Sequence, residues 1–462
     1  MARELVQVAG DSKAAELELL ADADARAARY LSELEQRRVF PDAAALAALS
    51  RLDEALPTVG APARETLALL DEVASPATVA SNGPRYFGFV IGAALPVAAA
   101  AERLALAWDQ CAATFDSSPA AAAVEKVAAR WVLEALDLPR ESAVGFGTSA
   151  TACAIGCLAA ARRKLLARQG WNVDDDGLVG APEVRVVAPL SVHITVKKAL
   201  RLLGFGLKRV SFIPVDSRGR LQVEELPALD ATTILCLQAG EVNSGEFDHF
   251  KPLIARARAA GAWVHVDGAF GLWARASQQL RHLTDGVEGA DSWTTDGHKW
   301  LNTPYDCAFA ICRDADALAS AMNSDAVYAS ASSKDAQKNL TLEFSRRARG
   351  VPVWAALRSL GREGVAALVE RHCAQARRLA SGLVAAGYEV LNEVVLNQVI
   401  ARGSSEEETV AVRVAAQQSG EVWFGPTVWQ GRPAFRLSVS SWRTTDQDID
   451  AVVELLRRLK KS

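Results

Sequence analysis

The sequence predicts an α/β protein whose mostly parallel central sheet is covered by helices on both faces. Short, β-rich runs occur between residues 184 and 312, and most are apolar on both faces, as buried strands of such a sheet are. Helical stretches separate several runs, and each of these ends at a glycine suited to a C-cap. Alternating strands and helices imply right-handed crossovers, with ligands bound beyond the carboxyl ends of the strands. The runs are residues 184–188, 210–215, 232–237, 262–267, 291–295 and 307–312.

Helical segments precede and follow this strand-rich region. Residues 11–75 show apolar residues at helical spacing, and the apolar stretch 91–101 predicts a buried helix that is too short to span a membrane. We expect a helical arm at 1–75, a large domain at 76–340 and a small α+β domain at 341–462. In the small domain a long helical stretch comes first, strands are predicted at 388–391, 397–401, 421–425 and 434–440, and a closing helix at 446–461.

The composition disfavours several classes of function. The 462-residue chain has 51 Lys and Arg against 55 Asp and Glu, so its net charge of −4 does not indicate nucleic acid or an anionic membrane as a partner. The N-terminus carries charges throughout and has no apolar signal-peptide core. The seven cysteines lack zinc-site spacing and are odd in number, which favours reduced thiols in the cytoplasm; no metal site is expected.

Two residues at predicted strand ends indicate the chemistry. Asp267 ends the run at 262–267, and Lys299 follows the run at 291–295, so a parallel sheet brings both to one edge. A desolvated lysine amine becomes a Schiff-base nucleophile, and an aspartate that faces a pyridine nitrogen keeps that nitrogen protonated. Either residue alone is more often an ordinary loop residue. The pair and the sequence around it indicate a pyridoxal phosphate site.

The sequence around this pair resembles a known family. HVDGAFG (265–271) and DGHKW (296–300) are similar to motifs of the group II amino-acid decarboxylases, the pyridoxal-phosphate family that includes aromatic-amino-acid and glutamate decarboxylases. The resemblance covers roughly residues 75 to 445. It implies fold type I, as in aspartate aminotransferase, and a homodimer with the active site at its interface. Further matching segments follow in the family's order at 83–89, 117–126, 147–154, 190–199, 245–248 and 345–354.

The resemblance also places the phosphate of the cofactor. A glycine-rich turn at 145–151 precedes a helix predicted over about 151–168, and N–H groups at a helix N-terminus suit a phosphate, although an ordinary N-cap would look the same. The family often has Asn where this chain has Asp296, and we expect this carboxylate to point away because an anion beside the phosphate is costly. The matching phosphate positions are Ser149, Ala150 and Thr151, with His298 close by.

The residues around the cofactor ring also follow from the resemblance. Lys299 holds pyridoxal phosphate as a Schiff base, and Asp267 faces the ring nitrogen. His193 matches the histidine that stacks on the ring and helps to protonate the substrate carbon. Ala269, two residues past Asp267 in an extended strand, is expected to pack against the other ring face. Asn243 is expected to reach the pyridoxal hydroxyl or the substrate, although a simple Asn-Ser-Gly turn also explains it.

Two more residues are candidates for substrate contact. Phe89 lies in an aromatic cluster with Tyr86 and Phe87, in a segment that matches one wall of the family's substrate pocket, with the partner subunit as a possible source. An ordinary core cluster explains it equally well. Arg436 is a candidate partner for the substrate carboxylate, and a structural salt bridge is the alternative.

One residue that the family leads us to expect is missing. A mobile loop in the decarboxylases carries a Tyr that protonates the carbanion left by carbon dioxide, but residues 330–350 contain no Tyr, and Tyr328 lies earlier. Gln337 or Leu340 stands about where that acid should be. The sequence predicts a carboxy-lyase that converts an L-amino acid to its amine. Oxidative deamination to an aldehyde, carbon–carbon cleavage and transamination are alternatives, and a non-catalytic scaffold is disfavoured.

Overall fold

The computed structural model describes residues 13–323 and 336–461 and confirms the predicted α/β fold. The large sheet consists of β1 (Ala143–Gly147), β2 (Arg185–Pro189), β3 (Val210–Ile213), β4 (Thr233–Gln238), β5 (Trp263–Asp267), β6 (Ser292–Asp296) and β7 (Ala308–Cys312). Its strand order is β1-β7-β6-β5-β4-β2-β3. Only β7 runs antiparallel to its neighbours, β1 and β6. The carboxyl ends of the other six strands therefore lie at one edge.

The central strands of this sheet are buried along their whole length because helices cover the sheet. The helix that follows β1 is small and apolar on almost every side over residues 150–161, where it packs between the sheet and other helices. The helices in the described residues are α1 (Lys13–Ser32), α2 (Ala43–Ala48), α3 (Ala63–Ala77), α4 (Pro96–Trp108), α5 (Pro119–Ala135), α6 (Ala150–Arg168), α7 (Val173–Asp176), α8 (Ile194–Leu202), α9 (Phe250–Ala259), α10 (Ala315–Met322), α11 (Gly350–Ala385), α12 (Glu406–Ser419) and α13 (Asp446–Lys461).

The six runs predicted as strands correspond to β2 through β7, but the sequence analysis missed β1. The sequence predicts a glycine-rich turn at Gly145 and Gly147, whereas both residues belong to the strand and pair with Ala310 and Ala308. Glycine is needed at position 145 because the backbone carbonyl of Leu340 leaves no room there for a Cβ. The turn that leads into α6 is thus shorter than predicted.

A second, antiparallel sheet lies in the C-terminal part of the chain, in the order β10-β11-β9-β8. The strand predicted at 421–425 is wrong: the strand begins only at its last residue, and Trp423 instead makes an isolated bridge to Tyr86. The predicted closing helix coincides with α13. The division of the chain at residues 75 and 340 stays a prediction. The strands of this sheet are β8 (Glu389–Val390), β9 (Gln398–Arg402), β10 (Gly425–Trp429) and β11 (Arg432–Ser438).

Helix α11 connects the two sheets. Its early residues, such as Val353 and Leu357, belong to the core under the large sheet, and its late residues, such as Leu379 and Leu383, belong to the core of the small one. The helix is interrupted at Gly361, where φ is 62° and ψ is −175°. This conformation is accessible essentially to glycine alone. The residue therefore sets the direction of the helix between the two cores.

The buried helix expected at 91–101 is not what the structure contains. Helix α4 begins only at Pro96, and Ala98 is its single buried residue. Val97, Leu104 and Trp108 lie on one side of α4 and are exposed on the described chain, so the apolar sequence leaves an uncovered face rather than a packed interior. Within residues 13–323 and 336–461, no helix is both long enough and apolar enough to cross a membrane.

Candidate active site

The predicted catalytic residues meet at the carboxyl edge of the large sheet. Asp267 is the last residue of β5 and Asp296 the last residue of β6, and these two strands are parallel neighbours. Lys299 follows three residues after β6. His193 lies at the start of α8, just past β2, and Ser149 caps the N-terminus of α6, just past β1. The parallel strands thus collect residues that are more than a hundred positions apart in the chain.

Asp267 is a buried carboxylate in electrostatic contact with two basic groups. Burial raises the pKa of Asp267, while His193 and Lys299 act in the opposite direction. Its Oδ1 accepts a 3.1 Å hydrogen bond from the Ala269 amide. Because β5 ends at Asp267, the extended-strand argument for Ala269 is wrong, and this residue lies in the following turn. Within the described residues, Oδ2 of Asp267 has no hydrogen-bond donor.

Lys299 is paired with a different carboxylate from the one the sequence suggested. Its Nζ lies 3.2 Å from Oδ2 of Asp296, and its side chain is 18% exposed. The other oxygen of Asp296 accepts a 2.8 Å hydrogen bond from the amide of Ala150, the first residue of α6. The expectation that Asp296 points away from the phosphate cradle is therefore wrong. The open N-terminus of α6 attracts a carboxylate.

His298 lies beside this pair. Its Nδ1 accepts a 3.1 Å hydrogen bond from the Cys307 amide, and its Nε2 is 3.8 Å from Oδ2 of Asp296. Burial lowers the pKa of His298, so the ring is neutral near pH 7 unless a bound anion draws a proton to it. Tyr305 stacks on the imidazole with ring centroids 4.3 Å apart. The sequence analysis did not name Tyr305, although this residue follows the DGHKW motif (296–300) closely in the chain.

His193 is held as the N-cap of α8. Its Nδ1 accepts from the Thr195 amide at 3.4 Å and lies 2.8 Å from the Thr195 hydroxyl. With Nδ1 as an acceptor, the neutral ring carries its proton on Nε2, which has no hydrogen-bond partner in the described part of the chain. Burial lowers the pKa of His193, and Asp267 opposes this. A neutral imidazole with a free N–H thus lies within electrostatic reach of both Asp267 and Lys299.

Asn243 and Arg436 lie where the two sheets meet. The Asn243 side chain accepts from the Thr427 hydroxyl at 2.6 Å and donates to Glu241 at 3.3 Å, so it is tied to the protein rather than open. Arg436 donates from Nη1 to the Val242 carbonyl at 2.7 Å. It also acts electrostatically on His193, which places its guanidinium near the catalytic edge. Among the described residues no carboxylate lies within 4.0 Å of the guanidinium, and Glu241 acts on it electrostatically from farther away.

Phe89 borders the same region. It has a positive φ of 52°, stacks on Trp423 at 5.4 Å and is 59% exposed. Trp423 also stacks on Tyr86, which is buried. The segment then passes so close to the Lys299 loop that a Cβ on Gly92 would collide with the Lys299 carbonyl. The aromatic cluster is therefore part of the wall beside Lys299, and Trp423 belongs to it although the sequence analysis did not name it.

The donor and acceptor groups at this edge fit pyridoxal phosphate. Lys299 supplies an amine, and Asp267 offers a buried oxygen without a protein partner to a protonated ring nitrogen. The Thr151 amide at the N-terminus of α6 has no acceptor in the described residues, which leaves it available to a phosphate. This fold, with these residues at this edge, defines the class of pyridoxal-phosphate enzymes of fold type I.

Comparisons with known proteins identify the family. The model of the pyridoxal-dependent decarboxylase conserved domain matches residues 48–402, and the chain belongs to this family, whose cofactor is pyridoxal phosphate. Tryptophan decarboxylase 1 of Oryza sativa subsp. japonica is 28% identical over 72% of this chain and 69% of that protein. The 4-hydroxyphenylacetaldehyde synthase of Rhodiola rosea is 28% identical over 74% of this chain and 71% of that protein.

The fold agrees with solved structures of the family. The crystal structure of Oryza sativa TDC with PLP and tryptamine superposes with a TM-score of 0.90 at 24% identity, covering 98% of each chain. At this identity the likeness establishes the fold alone. The curated relatives and the family model together identify the chain as a pyridoxal-phosphate-dependent amino-acid decarboxylase by descent.

Proposed function

We propose that this protein removes the carboxyl group of an aromatic L-amino acid and releases the amine, with Lys299, Asp267 and His193 as its catalytic residues. The observation that carries the proposal is the meeting of these three residues at one sheet edge, in mutual electrostatic contact. Bound pyridoxal phosphate supplies an electron-accepting ring for the bond that breaks.

Each residue has a role that follows from its surroundings. Lys299 holds the cofactor through its amine, and Asp267 holds a proton at the ring nitrogen because it is a buried acceptor with one free oxygen. His193 stacks on the ring and presents its Nε2–H to the substrate carbon. Ser149, Ala150, Thr151 and His298 bind the phosphate, Ala269 and Asn243 line the ring, and Phe89 and Arg436 contact the substrate.

The substrate class follows from the wall of the site. Phe89, Trp423 and Tyr86 form a continuous aromatic stack beside the Lys299 loop. Aromatic side chains pack favourably on such a stack. Arg436 is a cation near His193 that can pair with the substrate carboxylate. The relative named tryptophan decarboxylase 1 gives independent support for an aromatic substrate.

We also propose that the enzyme is a homodimer with the active site at the interface. Helix α1 buries none of its residues on the described chain, although Leu17, Leu20 and Leu31 lie along it. Val97, Leu104 and Trp108 of α4 and the ring of Phe89 are further exposed apolar side chains on the described chain. Groups of exposed apolar side chains on a helix face are typical of an interface between subunits. We place the enzyme in the cytoplasm, since all seven cysteines are free thiols.

A second outcome, oxidative deamination to an aldehyde, has a specific observation in its favour. The stretch 330–350 has no Tyr to protonate the substrate carbon, and Tyr328 lies outside the described residues. Of the two residues expected at that position, Leu340 is half-buried against the core and Gln337 is buried. Without a residue that delivers a proton quickly to the substrate carbon, molecular oxygen can act there as the oxidant and leave as hydrogen peroxide. A relative named for an aldehyde product is as similar to this chain as the decarboxylase is.

Product analysis separates the two outcomes. We would incubate the purified enzyme and pyridoxal phosphate with L-tryptophan, L-tyrosine and L-phenylalanine, and with L-glutamate as the non-aromatic control. The proposal predicts carbon dioxide and the aromatic amine in equal amounts from at least one aromatic substrate. Aldehyde with hydrogen peroxide and ammonia would select the second outcome. Preference for glutamate would contradict the proposed substrate class.

A further inference from the structure

Asn302 is a fully buried residue three positions after Lys299, and its side chain engages both its donor and its acceptor groups. Its Nδ2 donates to the carbonyls of Trp300 at 2.7 Å, Ser440 at 3.0 Å and Lys299 at 3.2 Å. Its Oδ1 accepts from the Trp442 amide at 2.8 Å. One amide side chain therefore joins the Lys299 loop to the segment that follows β11.

The backbone of Asn302 brings a third segment to the same point. Its carbonyl accepts from the Leu95 amide at 2.8 Å, and its N–H donates to the Lys299 carbonyl at 3.2 Å. Its φ of 58° is a left-handed conformation that Asn adopts more readily than most residues with a Cβ. A Cβ on Gly92 would collide with both the Lys299 carbonyl and the Asn302 side chain. The Lys299 carbonyl is thus held by two donors of Asn302 and packed against Gly92.

A second connection runs from the Lys299 loop to the same segment. Trp300 donates from Nε1 to Nδ1 of His372 at 2.9 Å, and Nε2 of His372 lies 2.9 Å from the Ser441 carbonyl. The Ser440 hydroxyl donates to the Ile91 carbonyl at 2.9 Å. The side chains of this network are buried. Buried polar networks whose groups are paired make the surrounding structure rigid.

The segment that follows β11 is continuous with the strand that carries Arg436. Strand β11 ends at Ser438, two residues before Ser440. A rigid connection at Ser440 therefore fixes the Lys299 loop relative to Arg436, the candidate partner of the substrate carboxylate. The relative position of the two matters, because a misplacement of about 1 Å between reacting groups can lower the rate by about 10²-fold.

We propose that Asn302 is a positioning residue, which fixes the Lys299 loop against the segment after β11 and so sets the direction of the Lys299 amine. The inference rests on the proposed function, in which Lys299 and Arg436 act on one substrate. Without the Asn302 side chain, three carbonyls and one amide lose a partner and the loop gains freedom. Arg436 keeps its hydrogen bond to the Val242 carbonyl, and the aromatic stack keeps its ring contacts. Turnover therefore falls, while substrate binding changes little.

The first experiment separates this role from a purely structural one. Asn302→Gly removes the side chain, and glycine adopts a positive φ without strain. We expect kcat, counted per chain that carries cofactor, to fall by about 10- to 100-fold, with KM within about threefold of the natural value. A purely structural side chain would lower stability and leave this kcat unchanged.

A second measurement needs no amino acid. Hydroxylamine releases pyridoxal phosphate from its linkage to Lys299, and the rate is followed by absorbance well below the unfolding temperature. We expect release about tenfold faster in Asn302→Gly, because local opening of the loop costs less free energy without the side chain. If the natural enzyme releases an amine from none of the amino acids, the proposed function is wrong, while these rates still test Asn302.

Asn397→Ala is the matched control. Asn397 is also fully buried and donates to the Val439 carbonyl at 2.9 Å, beside Ser440. Within residues 13–323 and 336–461 its side chain makes no hydrogen bond to the Lys299 loop. We expect its kcat and its release rate to equal those of the natural enzyme, whatever the change in its stability.

Asn302→Asp provides the result if the glycine variant does not fold. Aspartate keeps the shape of the side chain and the acceptor for the Trp442 amide, tolerates a positive φ, and lacks the Nδ2 donors. Both rates should change in the same direction as for glycine. A kcat and a release rate within about threefold of the natural values in the folded variants would overturn the proposal. Equal losses in Asn397→Ala would also overturn it, since the effect would then belong to the small sheet in general.

Discussion

Lys299 and Asp267 are 32 positions apart in the sequence and act on one another at the edge of the sheet. Both could be predicted because each follows a buried strand, and parallel strands end at a common edge. The position of Asp296 could not be predicted in the same way. Its side chain accepts a hydrogen bond at the N-terminus of α6, and that helix reaches the site because β1 pairs with β7. The glycine-rich sequence of β1 does not predict this pairing.

His193 provides the first test at this scale. We expect His193→Gln to lower kcat by about 10²- to 10⁴-fold, because a glutamine cannot transfer a proton at the substrate carbon. Pyridoxal phosphate content, measured by absorbance, should be retained. His282→Gln is the control, since His282 is exposed and distant from the sheet edge. Turnover within about threefold of the natural enzyme would remove His193 from the mechanism.

Asp248 gives a prediction about stability and pH. Burial raises the pKa of Asp248 from 3.8 to about 6, although its carboxylate accepts from the Leu221 and Gln238 amides. The folded state therefore binds this proton more tightly than the unfolded state. The resulting stabilisation is present below the unfolded value and is lost as pH rises through about 6, a change on the order of 3 kcal/mol.

The measurement compares unfolding of the natural enzyme and Asp248→Asn at about pH 4.5 and pH 7.5. Asn has no carboxyl to titrate, so the stability advantage of the natural enzyme should shrink at the higher pH. An advantage that is constant, or that grows with pH, would contradict the protonation assigned to Asp248.

Elements that are buried on both faces were predictable from their apolar sequence, and those shaped by a distant backbone were not. Strands β2 to β7 belong to the first group. In the second group, β1 needs Gly145 because the backbone of Leu340 lies against it. Most of the segment at 421–425 lies outside the small sheet, and its Trp423 stacks on Tyr86. Neither contact leaves a periodic pattern in the sequence.

The break in α11 is a testable feature at the scale of elements. We expect Gly361→Ala to lower the free energy of unfolding by about 1–3 kcal/mol, because φ and ψ at this position are costly for any residue with a Cβ. Gly364→Ala, in the regular helical part three residues later, is the control and should cost less. The stability of both variants is measured by thermal unfolding. Equal stability of Gly361→Ala and the natural enzyme would contradict the backbone strain expected for a residue with a Cβ at position 361.

At the scale of the whole molecule, the apolar faces of α1 and α4 predict association. We expect sedimentation equilibrium to give two chains per particle and Leu104→Asp to shift the population toward monomers with loss of activity, since a charge in a buried interface is costly. Leu104 is 56% exposed on the described chain and lies one helical turn from Trp108. Val179→Asp is the control, because Val179 is 93% exposed but lies away from α4, before β2. A monomeric, active natural enzyme would rule out the proposed dimer.

The central claim is that the Lys299 amine holds the cofactor, and borohydride reduction tests it most directly. The natural enzyme, Lys299→Ala and the exposed control Lys198→Ala would be reduced in the presence of pyridoxal phosphate, digested and analysed by mass spectrometry. We predict a stable adduct on the peptide that contains Lys299 in the natural enzyme and the control, and neither adduct nor amine production in Lys299→Ala. An adduct on another lysine, together with turnover by Lys299→Ala, would contradict the account.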